Sequence, residues 1–436
     1  MNHPPPTRSL HRFLPLLLAA LLLAGGCAVN PVTGERELSV VGEQWELDVG
    51  ARQYAPLRQA QGGDFVLDPG LVDYVQGVGQ RLAAHAERDL PYEFEVINES
   101  VPNAWALPGG KIAINRGLLA EMDSESELAA VLGHEIIHAA ARHGAQGQTR
   151  NLLLQGAVLA GGIAVGAAAD DDRYTQVALL GGMVGAQLIN QRYSRDAERE
   201  ADLYGMRMMK RAGYNPVGAV ELQETFVRLS EGRQSSAFDA WFASHPPSRE
   251  RVENNRELLA ELGASGEVGR ERYQRATARL RAAQPAYDAY DEGRKALENE
   301  EPALALQKAA DAIRIEPAEA LFHGLKGDAH AARGDYAQAE RAFSDALARN
   351  EGWFYHHLRR GMARNELERY DAARGDLAAA NQRMPTAIGH YLLGTIEQRA
   401  GNRTAAIENY RVAARSDTPV GQQARQRLDA MGITGG

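Results

Sequence analysis

The chain has 436 residues, 44% of them hydrophobic and 24% charged, which is enough apolar material for two or three packed domains. A net charge of −9 without any basic cluster excludes nucleic acid as a partner. The single cysteine excludes an intrachain disulfide.

Arg8 and Arg12 precede an apolar run from Phe13 to Leu23. It is too short and one-sided for an ordinary spanning helix, and reads as a secretory signal. The run closes on Leu23-Ala24-Gly25-Gly26-Cys27. Small residues before a cysteine resemble a bacterial lipobox, so residues 1–26 read as a signal peptide and Cys27 as a lipidated first residue. Ala24 stands where Leu is usual, which leaves ordinary signal cleavage as the alternative. Ala28 is not Asp and favours outer-membrane sorting.

Tyr92–Ile97, Val101–Leu107 and Lys111–Ile114 read as short strands, broken by Pro102 and Pro108-Gly109-Gly110. Ser124-Glu125-Ser126-Glu127 is a capping box, and Leu128, Val131, Leu132, Ile136 and Ala139 follow at helical spacing. Gly144 fits the end of that helix, whose histidines are expected to face a cleft. Inside it lies His134-Glu135-Ile136-Ile137-His138. Residues i and i+4 share a helix face, so the two imidazoles can bind one Zn²⁺ and Glu135 can act as general base on a metal-activated water. His143 lies about 140° around the helix from His138 and is excluded from that metal. Ala141 and Gly144 stand where a metzincin motif requires Gly and His, so that class fails.

Two Gly- and Ala-rich apolar stretches follow, Leu152 to Ala168 and Val177 to Ile189, split by Asp170-Asp171-Asp172. The first contains Gln155 and sits at the bottom of the spanning length range, which favours a helical hairpin packed on or over the catalytic part. In Ser194-Arg195-Asp196-Ala197-Glu198-Arg199-Glu200-Ala201-Asp202, Glu198 and Asp202 share a helix face. Alone they read as a solvated charged helix, as Arg195, Arg199 and Glu200 do. Joined to the histidine pair, Glu198 is the leading third ligand, and the other carboxylate can fix a ligand histidine's tautomer. Tyr193, His245 and Arg249 are candidate oxyanion donors. Ser244-His245-Pro246-Pro247-Ser248 reads as a turn with Ser248 as N-cap.

Gly263-Ala264-Ser265-Gly266 closes the catalytic part, and an Arg-rich helix from Arg270 to Ala283 leads onward. Gly293, Gly327, Gly361 and Gly394 then recur at spacings of 34, 34 and 33. Ala305, Ala339, Ala373 and Ala406, then Ala312, Ala346, Ala380 and Ala413, keep the same phase, with Phe343, Leu377 and Tyr410 between them. This is the tetratricopeptide pattern, about four helix pairs with a capping helix from Gln422 to Met431. The expected division is a signal peptide at 1–26, a metalloprotease domain at 27–268, a connecting helix at 269–284 and a repeat domain at 285–436.

The pairing of H-E-x-x-H with S-R-x-x-E-x-x-A-D resembles the zinc peptidases related to HtpX and the CAAX prenyl proteases. More narrowly it resembles their periplasmic BepA (YfgC)-like branch, which carries a tetratricopeptide tail. Asn103-Ala104-Trp105-Ala106-Leu107-Pro108-Gly109-Gly110, Gly117-Leu118-Leu119 and the Ser244–Ser248 motif fit that branch, and Asn30-Pro31-Val32-Thr33-Gly34 resembles its lipoprotein members. The resemblance covers nearly the whole chain. It implies an α+β fold, a mainly helical zinc protease domain with a small sheet, followed by an all-α repeat solenoid. It implies one Zn²⁺ per chain held by His134, His138 and Glu198, Glu135 as base and Asp202 behind a ligand histidine. His245 is implied as a residue able to occupy the zinc's open position and hold the enzyme latent, and an edge strand of the small sheet as the rest for an extended peptide. Proline at Ile112 is the expected disruption of that strand.

The implied function is a zinc endopeptidase of the Gram-negative envelope, anchored at the outer membrane through Cys27 and facing the periplasm. It would cut unfolded or misassembled envelope proteins, with the repeats docking substrate or the outer-membrane protein assembly machinery. The alternative is a largely latent protease acting as a chaperone-like adaptor through its repeats.

Overall fold

The computed structural model describes residues 27–161, 193–231 and 245–433. The expected signal peptide, the second apolar stretch and the last part of the first, from residue 162 on, lie outside these residues. Among the described residues, no helix is long and apolar enough to cross a membrane.

The chain opens with an antiparallel ribbon, β1 (Cys27–Val29) and β2 (Arg36–Leu38), with Cys27 opposite Leu38. α1 (Glu43–Ala60) follows, then α2 (Pro69–Ala83), where Asp68 caps the backbone N–H of Leu71 and Pro69 fits the first turn. β3 (Glu93–Ile97), β4 (Ala104–Leu107) and β5 (Lys111–Asn115) form a sheet of order β3–β5–β4. β5 is its central strand, parallel to β3 and antiparallel to β4. Ile112 is therefore paired on both sides. Proline there would break the sheet rather than probe a peptide rest, and the edge strands are β3 and β4.

α3 (Arg116–Glu121) leads into α4 (Glu125–Ala140), the helix of the histidine pair. The expected capping box is present, Ser124 accepting from Glu127 N and the Glu127 carboxylate from Ser124 N. All of α4 is buried, not one face alone, with the sheet against it on one side and later helices on the others. It ends before Gly144, at Arg142, whose φ of 65° breaks the helix. The Arg142 guanidinium is held by Glu46 and by the Val41 carbonyl, which fixes this turn. Gly144 lies inside α5 (His143–Gly161), where a Cβ would stand 3.1 Å from Pro108.

α6 (Arg195–Arg211), α7 (Val217–Glu231) and α8 (Arg249–Leu262) complete this part, with Ser194 and Ser248 as N-caps. α4 and α6 cross at Gly133 and Gly205, where a Cβ on Gly205 would lie 3.3 Å from His134 N. That approach brings the acidic face of α6 onto the histidines.

Two helices, α9 (Arg270–Ala276) and α10 (Ala278–Glu298), stand where one connecting helix was expected. α10 pairs with α11 (Pro302–Ile315), α12 (Ala320–Ala332) with α13 (Tyr336–Leu347), and α14 (Phe354–Glu366) with α15 (Tyr370–Arg383). α16 (Ala387–Arg399) pairs with α17 (Arg403–Ala413), and α18 (Pro419–Ala430) packs on the last pair. The repeat glycines make room for the bulky residues read from the sequence. A Cβ on Gly327, Gly361 or Gly394 would meet Phe343, Leu377 or Tyr410 at 2.7 to 2.9 Å. The first pair has Ala309 in the bulky position, and Leu325 of α12 fills the space over Gly293. The fold is the expected α+β arrangement, a mainly helical domain with a small sheet, followed by an all-α repeat array.

The array is packed on the catalytic part by its leading helices. Arg116, 1% exposed, lies 3.4 Å from the ring centroid of Tyr287 and donates to Asn98 Oδ1 at 2.8 Å. Asn98 donates to Glu319 Oε1 at 3.1 Å, and Tyr287 donates to Glu319 Oε2 at 2.7 Å. The ring satisfies a charge that would be costly if buried alone. Further along, Trp353 donates to the Gln59 carbonyl at 3.0 Å and lies where a Cβ on Gly63 would approach within 2.8 Å. One hydrophobic core runs from Phe65 and Val75 through Tyr273 and Tyr287 to Phe354.

His356 in α14 is 1% exposed. Burial drives its pKa down to about 3, only partly offset by the Asn350 backbone. In the unfolded chain it titrates near 6.5. The unfolded state therefore binds more protons below that pH, and stability is lost as pH falls from about 6.5 toward 3. Between pH 6.5 and 4.5 this histidine is expected to cost ~2–3 kcal/mol. His356→Gln should flatten the acid limb of urea-unfolding stability over that window. An unchanged slope in the variant would refute this assignment.

Candidate metal centre

α4 supplies His134 and His138 one turn apart, and α6 supplies Glu198 and Asp202 one turn apart. The segment before α8 supplies His245, which is 2% exposed. His134, His138, Glu198 and His245 form a buried group whose ligand atoms lie within 4.8 Å of one another. His134 Nε2 is 3.0 Å from His138 Nε2 and 3.3 Å from His245 Nδ1. Glu198 Oε1 is 2.9 Å from His245 Nδ1 and 3.3 Å from His138 Nε2. Four residues thus turn lone-pair atoms toward one point, an arrangement that a metal ion satisfies.

The outer contacts fix the imidazoles. Asp202 Oδ1 lies 3.0 Å from His134 Nδ1. A proton on that nitrogen leaves Nε2 free to bind metal. Tyr193 stacks on the His138 ring with centroids 3.9 Å apart. His143 Nδ1 lies 2.8 Å from His138 Nδ1, so this histidine supports a candidate ligand from behind. Arg199 is exposed, as expected, but Glu200 is turned inward, its Oε1 3.5 Å from His143 Nε2 and 2.9 Å from the Asn30 amide nitrogen.

Arg251 was not read from the sequence. It is 7% exposed and donates from Nε and Nη2 to both Asp202 oxygens at 2.7 and 2.8 Å. Its Nη1 lies 2.9 Å from Glu198 Oε2, an ion-pair contact off the hydrogen-bonding line. Its Nη1 also donates to the Pro246 carbonyl at 3.3 Å. One guanidinium thus ties together Glu198, Asp202 and the turn carrying His245. The sole sequence signal was an arginine one turn after the Ser248 cap. Arg249 lies exposed at the start of α8.

Glu135 is fully buried, and neither carboxylate oxygen has a hydrogen-bond partner among the described residues. His245 Nε2 lies 3.7 Å from its Oε1. Burial raises the Glu135 pKa above the usual carboxylate range. Burial also lowers that of His138. At His134 burial acts downward, but Glu198 and Asp202 outweigh it and lift the pKa to about 10. For Glu198, burial is overcome by His245 and His134, and its carboxyl is held well below the usual range. For Asp202, burial is overcome chiefly by Arg251.

The sequence model of peptidase family M48 matches residues 71–259, which contain all of these groups except Asn30. The putative beta-barrel assembly-enhancing protease of Vibrio cholerae is 32% identical over 262 residues, 58% of this chain and 52% of that protein. Metalloprotease YcaL of Escherichia coli K12 is 33% identical over 188 residues, 42% of this chain and 70% of that protein. The mitochondrial metalloendopeptidase OMA1 of Schizosaccharomyces pombe is 35% identical over 200 residues, 45% of this chain and 55% of that protein. The chain spans about half the length of the first of these. With the motif helices, the buried donor set and a relative matched over most of its length, the chain belongs to peptidase family M48.

Proposed function

We propose that this chain is a zinc metalloendopeptidase of the bacterial envelope, with its catalytic centre held closed by His245. The observation that carries this reading is the buried four-residue donor set beside a carboxylate without a hydrogen-bond partner among the described residues. Ligands at about 2.0–2.1 Å from zinc in a tetrahedron lie about 3.3 Å from one another. Four of the separations here run from 2.9 to 3.3 Å, and the whole set lies within 4.8 Å. His134, His138 and Glu198 are the protein ligands, and one ion is held per chain. Bound there, zinc supplies a Lewis acid that acidifies water and polarises a peptide carbonyl.

The protein's own groups do the rest. Glu135 takes the proton of the attacking water and passes it to the leaving amine. Asp202, clamped by Arg251, holds His134 with Nε2 inward. His245 Nδ1 occupies the position a substrate carbonyl or water needs, and its Nε2 faces Glu135. Withdrawal of the His245 turn would free both at once. β4 packs on α4 and is an edge strand, so it is the place where an extended peptide would add. The test is zinc content of the purified mature protein, measured beside cleavage of an unfolded model substrate. Absence of zinc would refute the reading.

The proposed substrates are unfolded or misassembled envelope proteins. Four relatives are named as beta-barrel assembly-enhancing proteases, one of them as putative, which supports a role beside the outer-membrane assembly machinery with the repeats as docking surface. We divide the chain into a protease part up to about residue 268 and repeats from about 285. The ribbon supports a lipid anchor at Cys27. Val29, Leu38 and Val40 are exposed while Asn30 is buried and Glu37 bonded inward, the reverse of an ordinary surface ribbon. Cys27→Ser should lose label from a lipid precursor, and label in both proteins would refute the anchor. A second reading, an adaptor whose protease is mostly latent, is favoured by one feature, the filling of the fourth ligand position by His245.

A further inference from the structure

We infer that the turn Asn30–Gly34 is a working part of the metal centre, acting through Glu200 and His143 to set the tautomer of His138. This rests on the metal-centre reading above and adds to it a second, separately built support for a ligand histidine.

Local chemistry shapes the turn. Asn30 Oδ1 accepts from Val32 N at 2.9 Å and from Thr33 N at 3.3 Å, an Asx turn across Pro31. Gly34, at φ 76°, returns its N–H to the Asn30 carbonyl at 2.8 Å. With its oxygen committed to the turn, the Asn30 amide nitrogen points inward. There it donates to Glu200 Oε1 at 2.9 Å and to Glu37 Oε1 at 3.1 Å. Asn30 is 1% exposed, so these bonds are made out of competing water. Glu37 is held in turn by Gln146 of α5.

Proton positions then follow in one direction. Glu200 Oε1 faces His143 Nε2 at 3.5 Å, and a carboxylate accepts only, so the proton of His143 belongs on Nε2. His143 Nδ1 is left as an acceptor, 2.8 Å from His138 Nδ1. His138 therefore carries its proton on Nδ1 and presents the Nε2 lone pair to the ligand set. His134 reaches the same state through a single carboxylate, Asp202. The two metal histidines thus have unlike supports, one from α6 and α8, the other from the N-terminal ribbon. Asn30 lies 108 positions before His138 in the chain, and no local pattern connects them.

The test uses the full mature chain and zinc itself. Zinc affinity is read by competition with a chromophoric chelator, and ligand geometry by the visible spectrum of the cobalt-substituted protein. Loss of an outer partner of a ligand histidine costs about 10- to 100-fold in metal affinity. His143→Ala should show that loss and an altered cobalt spectrum. His143→Gln, whose side-chain carbonyl can still accept from His138, should recover much of both. Asn30→Ala should weaken zinc binding several-fold, and the double variant with His143→Ala should be no weaker than His143→Ala alone. A loss that came only from a loosened fold would be neither rescued by Gln nor non-additive, and would overturn the inference. So would wild-type affinity and spectrum in His143→Ala, or in Asn30→Ala. If the wild-type chain takes up no zinc, the metal-centre reading itself falls, and this inference with it.

Discussion

Glu135→Gln is expected to keep its zinc and lose peptide cleavage by about 10²- to 10⁴-fold, the range a positioned general base contributes. The substitution is nearly isosteric, and none of the four candidate ligands is altered. Zinc content and the thermal midpoint should therefore stay near wild type. What disappears is an acceptor able to take a proton from water and return it to an amine. The wild-type carboxylate is fully buried without a hydrogen-bond partner among the described residues, so it has no evident structural duty. Cleavage of an unfolded substrate, followed by the appearance of new amino termini, reads the effect. Full activity in the variant would sink the assignment of Glu135 as base.

His245→Ala should move activity the other way. His245 fills the fourth ligand position and stands between Glu135 and any incoming carbonyl. Its removal opens both without touching the Ser248 cap or the pairing of Arg251 with Asp202. If the closed state outweighs the open one by about 100 to 1, relief would raise cleavage up to about 100-fold. The variant should also hold zinc less tightly, because one of four ligands is gone. A fall in cleavage at full zinc occupancy would instead make His245 a participant in the reaction. No change in either quantity would remove both roles.

The parts of this architecture that were legible in the sequence are those built from short-range periodicity. The pairs His134/His138 and Glu198/Asp202 each sit at helical spacing, and the capping box at Ser124 and the repeat glycines obey equally local rules. Where tertiary partners decide, reading failed. Glu200 looked like its solvated neighbour Arg199, because helix phase does not reveal that Asn30 and His143 are waiting for it. Arg251 looked like one arginine among several in α8, and only the fold brings Asp202 and Glu198 to it. Gly144 looked like the end of the catalytic helix, but a bonded Arg142 accepts the left-handed turn instead. Strand order is equally non-local. Three short strands in sequence gave no sign that the last of them would lie in the middle, which is why Ile112 is a poor probe of a peptide-binding edge.

The joint between repeats and catalytic part changes what a truncation can mean. Ending the chain before α10 would strip the Tyr287 ring from Arg116 and Glu319 from Asn98, leaving a buried cation without the ring that covers it. It would also uncover the groove at Gly63 that Trp353 fills. A shortened enzyme is then a different object from the whole one with its docking surface subtracted, because its interior has been cut open. The excised repeats suffer the mirror-image injury, with apolar flanks of α10, α12 and α14 turned to water. Any stickiness of such a fragment toward other proteins would first report that wound. The natural partner of these helices is, over part of their surface, the body they already belong to.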